Sequence, residues 1–319
     1  MLKLKDISVI IPTYNRAQDF SEKTLKAILP FANKLNEIII VDQSSNNETK
    51  KLTSKIKNKN IRYVYSSPPS ITIARNSGVK KSSEKSKLIC FLDDDVGLGA
   101  NYFKEIIKIF NNDTDAKAAA GFLIHPEQNT SSKLFSLIKK IFFLGSLEKN
   151  RARIISAYGN TYPLSLKEII TSQWLPGVNM VYKKEVFKEQ KFDENLLGYT
   201  IAEDTDFSFR LFKKYPNSVF ITPFAKIVHL TSFSERTPAK EMAYINHIDH
   251  FYFNFKNLNN SLKEKIIFVW SLTGIIILNL MLLFSFNKNK FLKSVYTFEA
   301  LFYCFTHLSK IKKGELRDF

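Results

Sequence analysis

Leu88-Ile89-Cys90-Phe91-Leu92-Asp93-Asp94-Asp95 is an uninterrupted apolar run that ends in three carboxylates. Five apolar residues without alternation read as a strand buried on both faces, as in a parallel sheet covered by helices. Two earlier runs have the same form. Ile7 to Ile11 is stopped by Pro12 and followed by Thr13-Tyr14-Asn15-Arg16, and Glu37 to Val41 ends in Asp42. Ile61 to Tyr65 reads as a further strand. Between the strands, Ala17–Leu29, Ile71–Lys81 and Asn101–Phe110 carry apolar residues at helical spacing. Strands alternating with amphipathic helices predict an α/β fold with a mostly parallel sheet flanked by helices. In such sheets ligands bind beyond the carboxyl ends of the strands, so the polar clusters after three strands should converge on one crevice.

The three aspartates carry the chemistry. Side chains alternate along an extended chain, so Asp93 and Asp95 point to one side. Carboxylates crowded there repel one another unless solvated or bound to a cation. A hard divalent ion such as Mg²⁺ or Mn²⁺ suits carboxylate oxygen and also binds phosphate. The plainer reading is a solvated acidic turn. Their place directly after a buried strand, with Asp42 at a neighbouring strand end, favours the cation. Neither the G-x-G-x-x-G pattern nor the Walker lysine loop occurs, which removes the standard dinucleotide and P-loop readings.

Further along, Lys133–Leu144 (KLFSLIKKIFFL) is an apolar segment with three lysines, readable as a membrane-surface helix or as one docked on the core. Trp174–Val181 reads as a strand entered through Pro176-Gly177. Glu203-Asp204-Thr205-Asp206 opens a helix through Phe212. Acidic residues at a helix start are commonly caps, but three of them exceed capping needs, and one is a candidate general base. His229 closes the apolar run Ile227-Val228; by itself, it is an ordinary polar residue.

Lys plus Arg number 47 against 30 Asp plus Glu, a net charge of +17, which favours a polyanionic partner. At 45% hydrophobic residues the chain can bury a sizeable core, which excludes disordered and low-complexity classes. Two cysteines, Cys90 and Cys304, are too few for a disulfide framework, and Cys90 reads as a small buried residue. The first residues show no basic-then-apolar secretory signal. Ile266–Phe286 runs for 21 residues without a charge, about 30 Å as a helix, with Lys263, Lys265, Lys288, Lys290 and Lys293 around it. Phe291–Leu308 is a weaker apolar stretch carrying Lys293, Glu299 and His307. Lysines at both ends give the positive-inside rule no direction, and Glu299 is costly in a bilayer. The tail is expected on the membrane, lying in the plane or re-entrant in preference to spanning.

The segments SVIIPTYNR, EIIIVDQSS, ARNSGVK, ICFLDDDV, GVNMVYKKEVF, FDENLLGYTIAEDTDFSFRL and KIVHLTSF, in this order and spacing, resemble family 2 glycosyltransferases, the inverting class with a GT-A fold. The resemblance covers roughly residues 6–235. It implies a nucleotide-sugar donor, a hexosyltransferase-like activity and Mg²⁺ or Mn²⁺. It places Pro12, Thr13, Asn15, Asp42, Arg75, Asp93 and Asp94 on the donor. Asp95 becomes the direct metal ligand, with His229 as a less uniform second. Asp204 matches the usual catalytic base, with Glu203 as the alternative. One departure is the four-residue approach Tyr199-Thr200-Ile201-Ala202 between Gly198 and Glu203. A GT-A-like catalytic domain over 1–255 follows, with a nucleotide half about 1–125 and an acceptor half about 126–255. A membrane-associated helical tail occupies 256–319, with the enzyme on the cytoplasmic face.

The expected reaction moves sugar to a hydroxyl of a glycan or lipid-linked acceptor in surface polysaccharide or glycolipid synthesis. Competing readings are a nucleotidyltransferase, which should show a Gly-rich basic loop where residues 12–20 have no glycine, and a basic binding protein without catalysis. The lysines are scattered among apolar runs and form no nucleic-acid motif, so no nucleic-acid partner is expected; an anionic membrane surface is.

Overall fold

The computed structural model describes residues 1–124, 133–148, 150–230, 237–258 and 261–317. The end of the KIVHLTSF segment, from 231, lies outside them. The chain divides into two compact units.

The first unit comprises Met1–Glu127, Leu166–Gly198 and Glu203–Arg236. Its sheet begins with β1 (Ile7–Thr13), β2 (Glu37–Asp42), β3 (Ile61–Tyr65) and β4 (Leu88–Leu92), then β5 (Val96–Leu98) and β6 (Ala118–Ile124). The four apolar runs read from the sequence are these first four strands, in the spatial order β4-β1-β2-β3 and all parallel. Every residue of β1, β2 and β4 is buried, which is why none of the three alternates. The chain leaves β1 toward β2 and returns on its other side as β4. The switch point of the sheet therefore lies between β1 and β4, the place where sheets of this kind bind their ligands.

Three small strands of the middle region, β7 (Ser146–Glu148), β8 (Ile154–Ser156) and β9 (Gly159–Pro163), belong to the second unit. The main sheet is completed by β10 (Ile170–Thr171), β11 (Asn179–Lys183) and β12 (Val219–His229), in the order β10-β12-β6-β11-β4. Beyond β4 the sheet is mixed, because β11 runs antiparallel between β4 and β6. The strand expected from Trp174 starts only at Asn179. Pro12 does not end β1, which runs on to Thr13. Pairing with β4 has stopped at Ile10, so no partner is left on the side where the proline lacks its N–H.

Cys90 is fully buried. Asn179 knits β11 to β6 and to the helix Tyr102–Asn112: its Oδ1 accepts from the Gly121 N–H at 2.6 Å and from the Tyr102 hydroxyl at 3.0 Å. Gly121 has no room for a side chain. A Cβ there would lie 2.4 Å from the Ala225 carbonyl oxygen and 2.7 Å from the Tyr102 ring.

The second unit comprises Gln128–Ser165, Tyr199–Ala202 and Thr237–Phe319. It contains the helices Lys133–Ile141, Ala239–Phe253, Leu262–Leu283 and Lys288–Thr306. It is larger than the 256–319 tail read from the sequence, because the C-terminal helices also pack on Ala239–Phe253, Lys133–Ile141 and β8. Asp249, fully buried, explains the long approach noted at Tyr199–Ala202. It accepts from Thr200 Oγ1 at 2.6 Å and from the Ile201 N–H at 3.1 Å, and it pairs with Arg317 at 2.8 Å. Glu299 is matched by Lys240 at 2.9 Å. Among the described residues only Leu262–Leu283 is long and apolar enough to cross a bilayer.

Replacing Gly121 by alanine should destabilise the first unit by about 1–3 kcal/mol, since a backbone carbonyl cannot yield as a side chain can. A lower urea midpoint at unchanged m value is the expected result, and an unchanged midpoint would show that β6 shifts without strain.

Candidate active site

The switch-point end of the sheet collects nearly every polar residue singled out in the sequence. β1 delivers Pro12 and Thr13, in register with Val41 and Asp42 of β2. Pro12 is buried in the strand; Thr13 Oγ1 donates to Asp94 Oδ2 at 2.7 Å. Asn15 adopts a left-handed backbone (φ 52°), which asparagine tolerates well. Its N–H donates to Ser44 Oγ at 2.8 Å and its Oδ1 accepts from the Ser45 N–H at 3.0 Å, which ties the loop after β1 to the loop after β2. Asp42 is fully buried and accepts from Tyr63 OH at 2.9 Å and the Ser44 N–H at 3.0 Å.

The backbone of the aspartate triplet is held from two sides. Thr24 Oγ1 donates to the Asp93 carbonyl at 2.8 Å and accepts from the Val96 N–H at 2.7 Å. The Asp93 N–H reaches the Val178 carbonyl at 3.3 Å. β5 then pairs antiparallel with β12, and the register His229↔Val96 sets the histidine beside the triplet. His229 Nε2 lies 2.9 Å from Asp95 Oδ1.

The three aspartates have different environments. Asp94 and Asp95 share Arg16, with Arg16 Nη1 2.9 Å from Asp94 and Nη2 2.6 Å from Asp95. Burial pushes Asp94 up to about 7 against the opposing pull of Arg16 and Thr13. Burial also acts on Asp95, but the His229 hydrogen bond and Arg16 outweigh it and hold this carboxyl well below the usual range. The same bond raises His229. Asp93 is the partly open member, raised by burial and 3.6 Å from Arg75.

Asp93, Asp95 and His229 each offer a ligand atom, all within 4.8 Å of one another. Two carboxylate oxygens and an imidazole nitrogen fit a divalent cation, and the imidazole suits Mn²⁺ better than Mg²⁺.

Arg75, on the helix Ile71–Lys81, has its side chain 2% exposed and joins this cluster to a second acidic pair. Its Nη1 binds Glu203 Oε1 at 2.8 Å, its Nη2 donates to the Gly177 carbonyl at 3.3 Å, and its guanidinium lies over the Phe192 ring at 5.3 Å. The Gly177 N–H in turn donates to Asp204 Oδ2 at 2.6 Å, and Asp204 Oδ1 accepts from the Thr205 N–H at 2.5 Å. The Gly177 peptide thus brackets the acidic pair, with its carbonyl on Arg75 and its N–H on Asp204. A Cβ on Gly177 would stand 3.1 Å from Asp204 Oδ2 and 3.2 Å from Arg75 Nη2, tighter than ordinary contact.

Glu203 is buried against Arg75, whereas Asp204 is only half-buried. Burial raises both carboxyls; the charge of Asp204 adds to the effect on Glu203, while Arg75 opposes it on both. Asp206 is buried on Arg210 at 2.9 Å, a structural pair on its own helix. The sequence alone gives no role to Arg16 or Gly177. Arg16 sits beside Asn15 in the loop after β1, and an arginine within reach of three strand-end aspartates was the available signal. Nothing in a single sequence marks Gly177, since its part is played by backbone atoms.

A family model described as glycosyl transferase family 2 matches residues 8–190, more than half of the chain. Over 90 residues the chain is 38% identical to an uncharacterised glycosyltransferase of Rickettsia felis, covering 28% of this chain and 14% of that protein. It is 27% identical over 198 residues to the GalNAc(5)-diNAcBac-PP-undecaprenol beta-1,3-glucosyltransferase of Campylobacter jejuni, covering 60% of this chain and 56% of that one. The chain therefore spans little more than half of one relative and a small part of the other. Among solved structures, GalNAc-T7 with UDP, GalNAc and Mn²⁺ superposes with a TM-score of 0.57 at 13% identity, covering 85% of this chain and 54% of that one. That likeness shows the GT-A fold. With the family model spanning β1, the aspartate triplet and β11, the chain belongs to glycosyl transferase family 2.

Proposed function

We propose that this glycosyltransferase moves a hexosyl group, with inversion, from a nucleoside diphosphate sugar to a hydroxyl of a glycan or lipid-linked acceptor in surface polysaccharide or glycolipid synthesis. The observation that carries the reading is the pair of acidic centres on either side of Arg75. One is Asp93/Asp95/His229 and the other is Glu203/Asp204. Single displacement needs two opposite kinds of group. Charge must be stabilised where the diphosphate departs, and a base must stand where the acceptor hydroxyl enters.

On the donor side, Pro12, Thr13, Asn15 and Asp42 line the strand ends where the nucleoside binds. Asp93 and Asp94 complete that wall with Arg75. Asp95, His229 and Asp93 would hold Mg²⁺ or Mn²⁺, which when bound supplies positive charge to the leaving diphosphate. On the acceptor side, Glu203 is engaged by Arg75, which leaves the half-open Asp204 as the base. Its Oδ atoms are oriented by the Gly177 and Thr205 N–H groups. Its raised proton affinity suits it to take the hydroxyl proton as the bond to the anomeric carbon forms. The nucleotidyltransferase alternative falls with the family assignment.

The acceptor named for the Campylobacter relative is lipid-linked, and this chain carries the apolar Leu262–Leu283 helix within a basic unit. Both support work at a membrane, with the second unit as the anchor; the need for a nucleotide-sugar donor puts that work on the cytoplasmic face.

A donor screen by nucleoside diphosphate release, with Mn²⁺ or with chelator and with polyprenyl-linked or free glycan acceptors, tests the class. An α-linked donor should yield a β-linked product by NMR, and a retained configuration would overturn inversion. Asp204→Asn should lower kcat by ~10²–10⁴ with donor KM nearly unchanged. Collapse of donor binding with normal kcat would move Asp204 to the donor site. Asp95→Ala should abolish both Mn²⁺-dependent turnover and Mn²⁺ binding followed by electron paramagnetic resonance; full turnover at saturating donor and metal would remove Asp95 from the ligand set.

A further inference from the structure

The helix Lys133–Ile141 has no buried residue. It shows two apolar stripes at helical spacing. Phe135, Ile138 and Phe142 are half-covered, while Leu134, Leu137 and Ile141 are 47–55% exposed. The half-covered stripe meets the Leu262–Leu283 helix. Phe142 stacks on Trp270 with ring centroids 4.7 Å apart, and Trp270 Nε1 donates to the Ile141 carbonyl at 2.8 Å. Gly274 lets the two backbones close in, since a Cβ there would lie 2.2 Å from Phe142 Cβ.

The long helix is divided in the same way. Phe268, Ser271, Leu272, Gly274 and Leu278 face protein. Leu262, Ile266 and Val269 are 60–74% exposed and repeat at i, i+4 and i+7. Trp270, 43% exposed, belongs to the outward surface of this helix and to the seam with the other. Two segments about 120 residues apart in sequence therefore share an uncovered apolar surface with a tryptophan at the join. Exposed lysines stand around it: Lys133, Lys139 and Lys140 on one helix, Lys263 and Lys265 on the other. The whole unit has seventeen lysines and arginines against seven aspartates and glutamates. A contiguous run of exposed large apolar side chains rimmed by charge marks an interaction or membrane site. An apolar face fringed by lysine, with an amphipathic indole, matches the interfacial zone of an anionic bilayer.

The same packing decides against a crossing. Phe268 lies against Phe251 at 5.1 Å and Tyr158 at 6.3 Å, and the helix touches β8. Short strands with open edges cannot enter hydrocarbon, where every backbone polar group needs an internal partner. Only the outward half of the helix is available to lipid.

We propose that Lys133–Ile141 and Leu262–Leu283 form one composite platform that lies in the plane of an anionic membrane, joined at Trp270. The platform rests on the membrane reading above and joins the in-plane tail to the Lys133–Ile141 helix in one two-helix face.

The test uses the full chain in flotation with phosphatidylcholine vesicles, with and without phosphatidylglycerol. Binding should need the anionic lipid and weaken with salt. The double variant L134E/L137E, on exposed positions, should lower vesicle partition by at least about tenfold with unchanged circular dichroism. In a Trp174→Phe background Trp270 is the sole tryptophan, and its emission should be quenched more by bromine near the glycerol end of the acyl chains than near the methyl end. Wild-type flotation unaffected by L134E/L137E would overturn the platform while leaving the membrane reading intact. Stronger quenching from the methyl end would replace it by a span. Absence of flotation in any vesicle would sink both, and a dimer that L134E/L137E dissociates would assign the face to a second copy.

Discussion

The ion pair between Arg75 and Glu203 is the constraint around which the site is organised. A guanidinium with 2% of its side-chain surface exposed cannot remain charged without partners, and desolvation of each ion in such a pair costs several kcal/mol. Glu203, Asp93 and the Gly177 carbonyl supply those partners. Each comes from a different part of the chain: the start of a helix, the end of β4 and the loop before β11. Satisfying one cation thus fixes three loops relative to one another. It also explains why β11 begins at Asn179 and not earlier. The Gly177 peptide already has its carbonyl on Arg75 and its N–H on Asp204, so it is not available to a sheet ladder.

The second arginine has a different task. Arg16 neutralises Asp94 and Asp95 together, and His229 adds to Asp95 alone. Adjacent residues in one run thereby acquire opposite proton affinities, Asp94 raised and Asp95 lowered. A carboxylate kept ionised suits a cation ligand. A neighbour that leans toward its protonated form keeps the cluster from carrying three full negative charges in a buried place.

Much of this was legible in the sequence because buried parallel strands advertise themselves. Seven residues of β1, six of β2 and five of β4 have no exposed position, so apolar runs and strands coincide. Polar residues at strand ends were legible for the same reason: the topology leaves them one place to go. Three things were hidden. Strand order beyond β4 depends on β11 inserting antiparallel, a long-range choice without local signal. The Gly177 bracket acts through backbone atoms, which no residue type encodes. The segment Tyr199–Ala202 looked like an odd insertion before the acidic pair. Its reason is Asp249, some fifty residues later, which holds Thr200 and Ile201 in the second unit.

The tail illustrates how much composition alone leaves open about topology. An uncharged stretch of 21 residues satisfies the length condition for a span. Periodicity inside that stretch carries the further information, but only when read against neighbours. Positions 268, 271, 272, 274 and 278 include a serine and a glycine, small residues that let other elements approach closely. A lipid-surrounded helix has no need of a fixed protein-facing stripe along half its circumference. Here that stripe meets a strand and the neighbouring helices of its own unit, largely through aromatic rings, so the exposed apolar surface lies on the opposite side. Hydropathy measures how much apolar surface a helix has. The distribution of its small residues shows how much of that surface the protein itself has already taken.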